Sequence, residues 1–62
     1  MPIVVVEQSE GRSVDQKRRV AELITDAFVD AYELRPDQVT ILFHELPLES
    51  MAKEGQLYSD RS

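Results

Sequence analysis

Residues 13–34 read SVDQKRRVAELITDAFVDAYEL, and the spacing within this stretch decides the fold. Val20, Leu23, Ile24, Ala27, Phe28 and Ala31 recur at i, i+3, i+4, i+7, i+8 and i+11, which is one continuous apolar stripe at helical period. Ser13-Val14-Asp15-Gln16 matches the S-x-x-Q capping box, so Ser13 is predicted to cap an early helix N–H while Gln16 reaches back to the Ser13 amide. Pro36 disfavours helical geometry at Arg35 and ends the helix near Glu33 or Leu34. A helix of about 20 residues rises ~30 Å, enough to cross a small sheet.

The flanks supply that sheet. On the N-terminal side Ile3-Val4-Val5-Val6 is β-branched and apolar on both alternating faces, which predicts a strand covered on both sides. Glu7-Gln8-Ser9-Glu10-Gly11 loses the pattern and ends in a residue suited to positive φ, so a turn is predicted there. On the C-terminal side Val39 to Leu46 alternates, with Val39, Ile41 and Phe43 on one face and Thr40, Leu42, His44 and Leu46 on the other, until Pro47 stops the ladder. Strand, long helix, strand is a β-α-β unit of the α/β (α+β) class, with parallel strands and a right-handed crossover. Residues 48–62 carry little periodicity; Gln56-Leu57-Tyr58 is predicted as a short strand pairing with a neighbouring chain, as part of a C-terminal hairpin or strand. No repeat, linker or low-complexity tract divides residues 1–62, which read as a single domain.

A chain of 62 residues exposes roughly 4,100 Å² when folded against roughly 10,300 Å² unfolded. Apolar burial then contributes about 90 kcal/mol, and conformational entropy costs about the same. With no Cys and one His, a disulfide or zinc staple is not on offer, so burial between subunits is the remaining source of stability. One helix leaves one sheet face uncovered, which points the same way. The net charge of −5 repels a phosphate backbone and argues against nucleic acid as a partner. The longest apolar run, Ile3 to Val6, neither spans a bilayer nor resembles a signal peptide, so a soluble cytoplasmic protein without membrane partners is expected. Hydrophobic residues at 42% and dispersed charges argue against global disorder.

The familiar nucleophile and metal arrangements are missing from the sequence, and the lone His44 reads as structural. Pro2 stands out. Removal of the initiator Met before a small residue leaves a free secondary amine ahead of an apolar strand, where desolvation favours the neutral, basic form. Equally, Pro2 suits the start of a strand, where no amide donor is needed. Arg12 is the second odd placement, because its charge meets the positive end of the helix dipole. Either it holds an anion together with free helix N–H groups, a carboxylate having the matching geometry, or it is solvated or paired with Glu10 or Asp15. Arg18 and Arg19 lie off the apolar stripe and read as a solvated face.

Pro2, the short strand, Glu10-Gly11-Arg12-Ser13, Asp15-Gln16-Lys17 and the tail Ser59-Asp60-Arg61 together resemble the 4-oxalocrotonate tautomerase family across essentially the whole chain. The resemblance implies a cofactor-free tautomerase whose prolyl nitrogen, at Pro2, is the general base that moves a proton between oxygen and carbon of a small enol or dienol acid and its keto form. It implies that Arg12 holds the substrate carboxylate or carbonyl oxygen, and that the chain assembles as a homo-oligomer, typically a hexamer. Two positions depart from the family. Thr40 stands where the family has a second catalytic arginine on strand 2, and Met51 stands where it has an aromatic residue lining the pocket. Lys53, Arg35 and Arg61 are the candidate replacement cations. With Arg12 as sole clamp, a substrate bearing one carboxylate and an apolar remainder facing Met51 is expected to suffer less than a dicarboxylate. Alternative readings are a catalytically weak or silent oligomer on the same scaffold, and a hydratase or dehalogenase of unsaturated acids using Glu10 or Glu49 to activate water.

Overall fold

The computed structural model describes residues 1–61, in which strand, helix and strand precede a short hairpin. The elements are β1 (Ile3–Ser9), α1 (Val14–Tyr32), β2 (Thr40–Leu46), β3 (Ala52–Lys53) and β4 (Gln56–Leu57). Three 3₁₀ turns, Pro36–Gln38, Leu48–Ser50 and Tyr58–Asp60, link or follow them. β1 and β2 are parallel, in the register Ile3↔Thr40 through Ser9↔Leu46. The β-α-β class expected from the sequence is therefore the fold.

Strand β1 outruns its β-branched segment. Glu7, Gln8 and Ser9, expected to turn, stay extended because each continues the ladder opposite His44, Glu45 and Leu46, and the Glu10 N–H still donates to the Leu46 carbonyl at 3.0 Å. Backbone pairing with β2 outweighs the weak strand preference of these polar residues. The reversal is confined to the next few residues, where Gly11 takes φ of 118°, a value open to glycine.

Helix α1 begins as its sequence dictates. The Ser13 hydroxyl accepts from Gln16 N–H at 3.1 Å, and the Gln16 side chain accepts from Ser13 N–H at 3.0 Å. It ends at Glu33, which caps it in the left-handed region at φ 55°. Val4, Val6, Ile41 and Phe43 are half-buried on the sheet face that α1 covers. Ile3, Val5 and Leu42 lie on the other face, 60%, 51% and 44% exposed, so β1 is covered on one side only within the chain, contrary to the two-sided cover its composition suggests. The helical stripe also divides. Ile24 and Phe28 turn inward, whereas Val20, Leu23, Ala27 and Ala31 stay exposed along one flank. No described residue is fully buried.

The C-terminal hairpin expected from the sequence forms within the chain. Gln56 and Leu57 pair antiparallel with Lys53 and Ala52 of the same chain, and Tyr58 leaves the strand for the last 3₁₀ turn. Glu54 and Gly55, at φ 56° and 79°, form the two-residue connection of type I′ character that such a hairpin requires.

Candidate active site

Pro2 and Thr40 are brought together at one end of the sheet, where the Thr40 N–H donates to the Pro2 carbonyl at 3.1 Å. Both residues are half-buried. Arg12 is at the opposite end, beyond Ser9. A strand rises about 3.3 Å per residue, so Pro2 and Arg12 of one chain stand on the order of 25 Å apart and do not share a site within a single protomer. Met51 is half-buried and connected to the Arg12 end, since it follows β2 through the Leu48–Ser50 turn; its carbonyl accepts the Tyr58 N–H at 2.8 Å.

Arg12 opens onto a groove of about 370 Å³ between the edge of β1 and the flank of α1. Gln8 and Phe43 form its sheet side, and Gln16, Arg19 and Val20 its helical side. Lys17 also lines it but is committed to Glu45 through an ion pair across the helix–sheet interface. The pairing of Arg12 with Asp15 considered from the sequence does not occur, because Asp15 is held by Arg18 at 2.6 Å. Among the described residues Arg12 makes no ion pair, with Glu10 or any other acid.

The other suggested cations are placed elsewhere. Arg35 is held by Asp37 at 3.1 Å, and Arg61 lies over the Tyr58 ring, 5.5 Å from its centroid, near Glu54. Lys53 is exposed on β3. Glu49 sits exposed in the turn after β2, and Glu10 is exposed just past β1. His44 meets Glu7 at 3.3 Å on the uncovered sheet face, away from the groove. Arg19 is the residue the sequence reading set aside; the i, i+3, i+4 relation of Gln16, Arg19 and Val20 places it on the groove side of the helix. Among the described residues no helix is long and apolar enough to cross a membrane.

The family profile described as "Tautomerase enzyme" matches residues 2–61. A probable tautomerase of Halalkalibacterium halodurans is 33% identical over 98% of this chain and 100% of its own. A 2-hydroxymuconate tautomerase of Bacillus subtilis is 30% identical over 97% of each chain. Among solved structures, a 4-oxalocrotonate tautomerase isozyme from Methylibium petroleiphilum superposes with a TM-score of 0.86 at 43% identity, covering 94% of this chain and 91% of that one. With its β-α-β fold and this breadth of match, the chain belongs to the tautomerase family of enzymes.

Proposed function

We infer that the protein interconverts the enol and keto forms of a small 2-hydroxydienoate or enolpyruvate-type acid, with the nitrogen of a processed Pro2 as general base and Arg12 of a second protomer as carboxylate clamp. The observation that carries this reading is the polarity of β1, with Pro2 at one end, the Arg12 groove at the other, and a free edge between them. A two-fold axis through the middle of that edge would lay a second β1 antiparallel to the first. Each Pro2 would then stand beside the Ser9–Arg12 end of the other copy. The exposed stripe of Val20, Leu23, Ala27 and Ala31 supports this pairing, because the groove places Val20 on the β1 side of the helix, where the second α1 would lie.

In such a site the enol acid's carboxylate is held by the Arg12 guanidinium, which also withdraws charge from the developing enolate. The neutral prolyl nitrogen accepts the hydroxyl proton and returns a proton to a carbon of the conjugated chain, so that atoms and charge balance without a redox step. Thr40, adjacent to Pro2, shapes the pocket beside the base, and Met51 presents a soft apolar surface to the conjugated carbons.

The test is ketonisation of phenylenolpyruvate and of 2-hydroxymuconate by protein whose mature N-terminus has been established by mass spectrometry. Pro2→Ala is expected to lose about 10²- to 10⁴-fold in kcat, the usual contribution of a positioned general base. Full activity in Pro2→Ala, or in protein that retains Met1 and hence an amide at Pro2, overturns the reading.

A further inference from the structure

We propose that the charges on α1 select a second copy of this chain as its antiparallel partner, with Arg19 of each copy paired to Asp30 of the other. This rests on the pairing within the functional reading above and names the residues that choose the partner and its direction.

The order of charges along α1 is the first observation. Lys17, Arg18 and Arg19 occupy its N-terminal half, whereas Glu22, Asp26, Asp30 and the cap Glu33 follow with no base among them. A lone helix disfavours that order, because Asp30 and Glu33 meet the negative end of its dipole. An antiparallel neighbour of the same sequence lays each basic half beside an acidic one.

The second observation is which charges already have partners. Lys17 is held by Glu45 and Arg18 by Asp15. Arg19 reaches only Glu22, at 3.6 Å with both side chains about two-thirds exposed, a contact of little strength. Among the described residues Asp26 and Asp30 make no ion pair. One loosely held cation thus stands in the basic half, and two unpaired acids stand in the other.

Placement joins the two. Arg19, Leu23, Asp26 and Asp30 recur at i, i+4, i+7 and i+11, an exposed row along one side of the helix. The row shares Leu23 with the exposed stripe of Val20, Leu23, Ala27 and Ala31, and Arg19 and Val20 both line the groove beside β1, so the row borders the surface that a second α1 would cover. A two-fold crossing anywhere from Leu23 to Ala27 sets Arg19 opposite segment 27–35 of the other copy, with Asp30 near its middle and Asp26 and Glu33 beside it. Symmetry forms the contact twice. The apolar stripe supplies the burial, while a parallel arrangement is rejected because it sets Asp30 against Asp30.

The test uses full-length Arg19→Asp and Asp30→Arg proteins, refolded separately and as an equal mixture, with sedimentation equilibrium over a dilution series and helix content followed by circular dichroism. Alone, each variant brings like charges together at both contacts, so the dissociation constant of its pair is expected to rise about 10- to 100-fold. In the mixture, a mixed pair has opposite charges at both contacts and should return to within about 3-fold of wild type. Asp30→Arg puts a cation in the last turn, where the dipole favours it, so weaker pairing at retained helix content is not a melted helix. Arg18→Gln, on a residue off the row and committed to Asp15, is the control and should leave pairing unchanged. Unchanged self-pairing in both charge variants, or a mixture as weak as its components, overturns the proposal. Leu23→Glu separates this from the pairing itself: weakening there with none in the charge variants overturns only the charge selection, and no weakening in Leu23→Glu overturns both. The prolyl base is judged by Pro2→Ala kinetics, which these measurements do not use.

Discussion

Arg12 sits immediately before the cap of α1, where its charge opposes the helix dipole by a few tenths to about 1 kcal/mol. Glu10 and Asp15 are near in sequence, yet neither neutralises it. An uncompensated arginine at this point is suited to an anion that arrives with the substrate. Arg12→Lys keeps the charge but loses the planar fork, so we expect kcat/KM for a 2-hydroxydienoate to fall by about one to two powers of ten, on the scale of one charge-assisted hydrogen bond. Steady-state kinetics beside Arg12→Ala would check this; equal activity in Arg12→Lys and wild type would leave bidentate binding without support. Pro2 and Arg12 stand out as candidates in the sequence because each breaks a local rule, an imino acid directly before an apolar strand and a cation at the wrong end of a helix. Arg19 does not, since i,i+3 spacing with Glu22 reads as a solvated face, and its place beside the groove depends on how the helix lies across the sheet. The proximity of Thr40 to Pro2 likewise required the register of β1 on β2.

Among the elements, α1 was the most legible, because its period and its capping box are both local, and both appear where the sequence puts them. The end of β1 was not legible. Glu7, Gln8 and Ser9 belong to the strand only through partners some 37 residues away. The hairpin was legible only as a hairpin or strand of unplaced turn, since a type I′ turn is announced by Asn-Gly or Asp-Gly and here the pair is Glu54-Gly55. Glu54 holds φ 56° and Glu33 φ 55°, a region that a side chain with Cβ occupies at some cost. Glu33→Gly should therefore stabilise the C-terminus of α1 by roughly 0.5–1 kcal/mol, and Glu54→Asn should stabilise the hairpin by a smaller amount. Ser13→Ala should cost about 1 kcal/mol. Thermal melts at one fixed protein concentration provide the comparison, since any linked assembly makes the midpoint concentration-dependent. A rise for Ser13→Ala, or a fall for Glu33→Gly, would contradict the conformational origin assigned to these effects.

At the scale of the whole molecule, the isolated chain exposes 4916 Å², against the roughly 4,100 Å² expected of a compact protein this size. Its apolar surface lies in two places, the sheet face of Ile3, Val5 and Leu42 and the helical stripe of Val20, Leu23, Ala27 and Ala31 beside the β1 edge. Two separate faces call for two kinds of contact, one forming a pair and the other joining pairs into a larger closed assembly, of which a hexamer is the form suggested by resemblance. Val5→Lys should then yield a smaller species in sedimentation without removing the pair, whereas Leu23→Glu should destabilise the pair itself. Under the proposed function, pairing would also determine where catalysis occurs. Because Pro2 and Arg12 are at opposite ends of β1, each site would draw its base from one subunit and its clamp from the other. Pro2→Ala and Arg12→Ala proteins should each be nearly inactive alone, yet when unfolded together in equal amounts and refolded they should regain activity. Random pairing joins an intact Pro2 to an intact Arg12 in about a quarter of sites, so about a quarter of wild-type turnover is expected. If both residues acted within one chain, no mixture would contain an intact site, and the refolded sample would stay as inactive as its components.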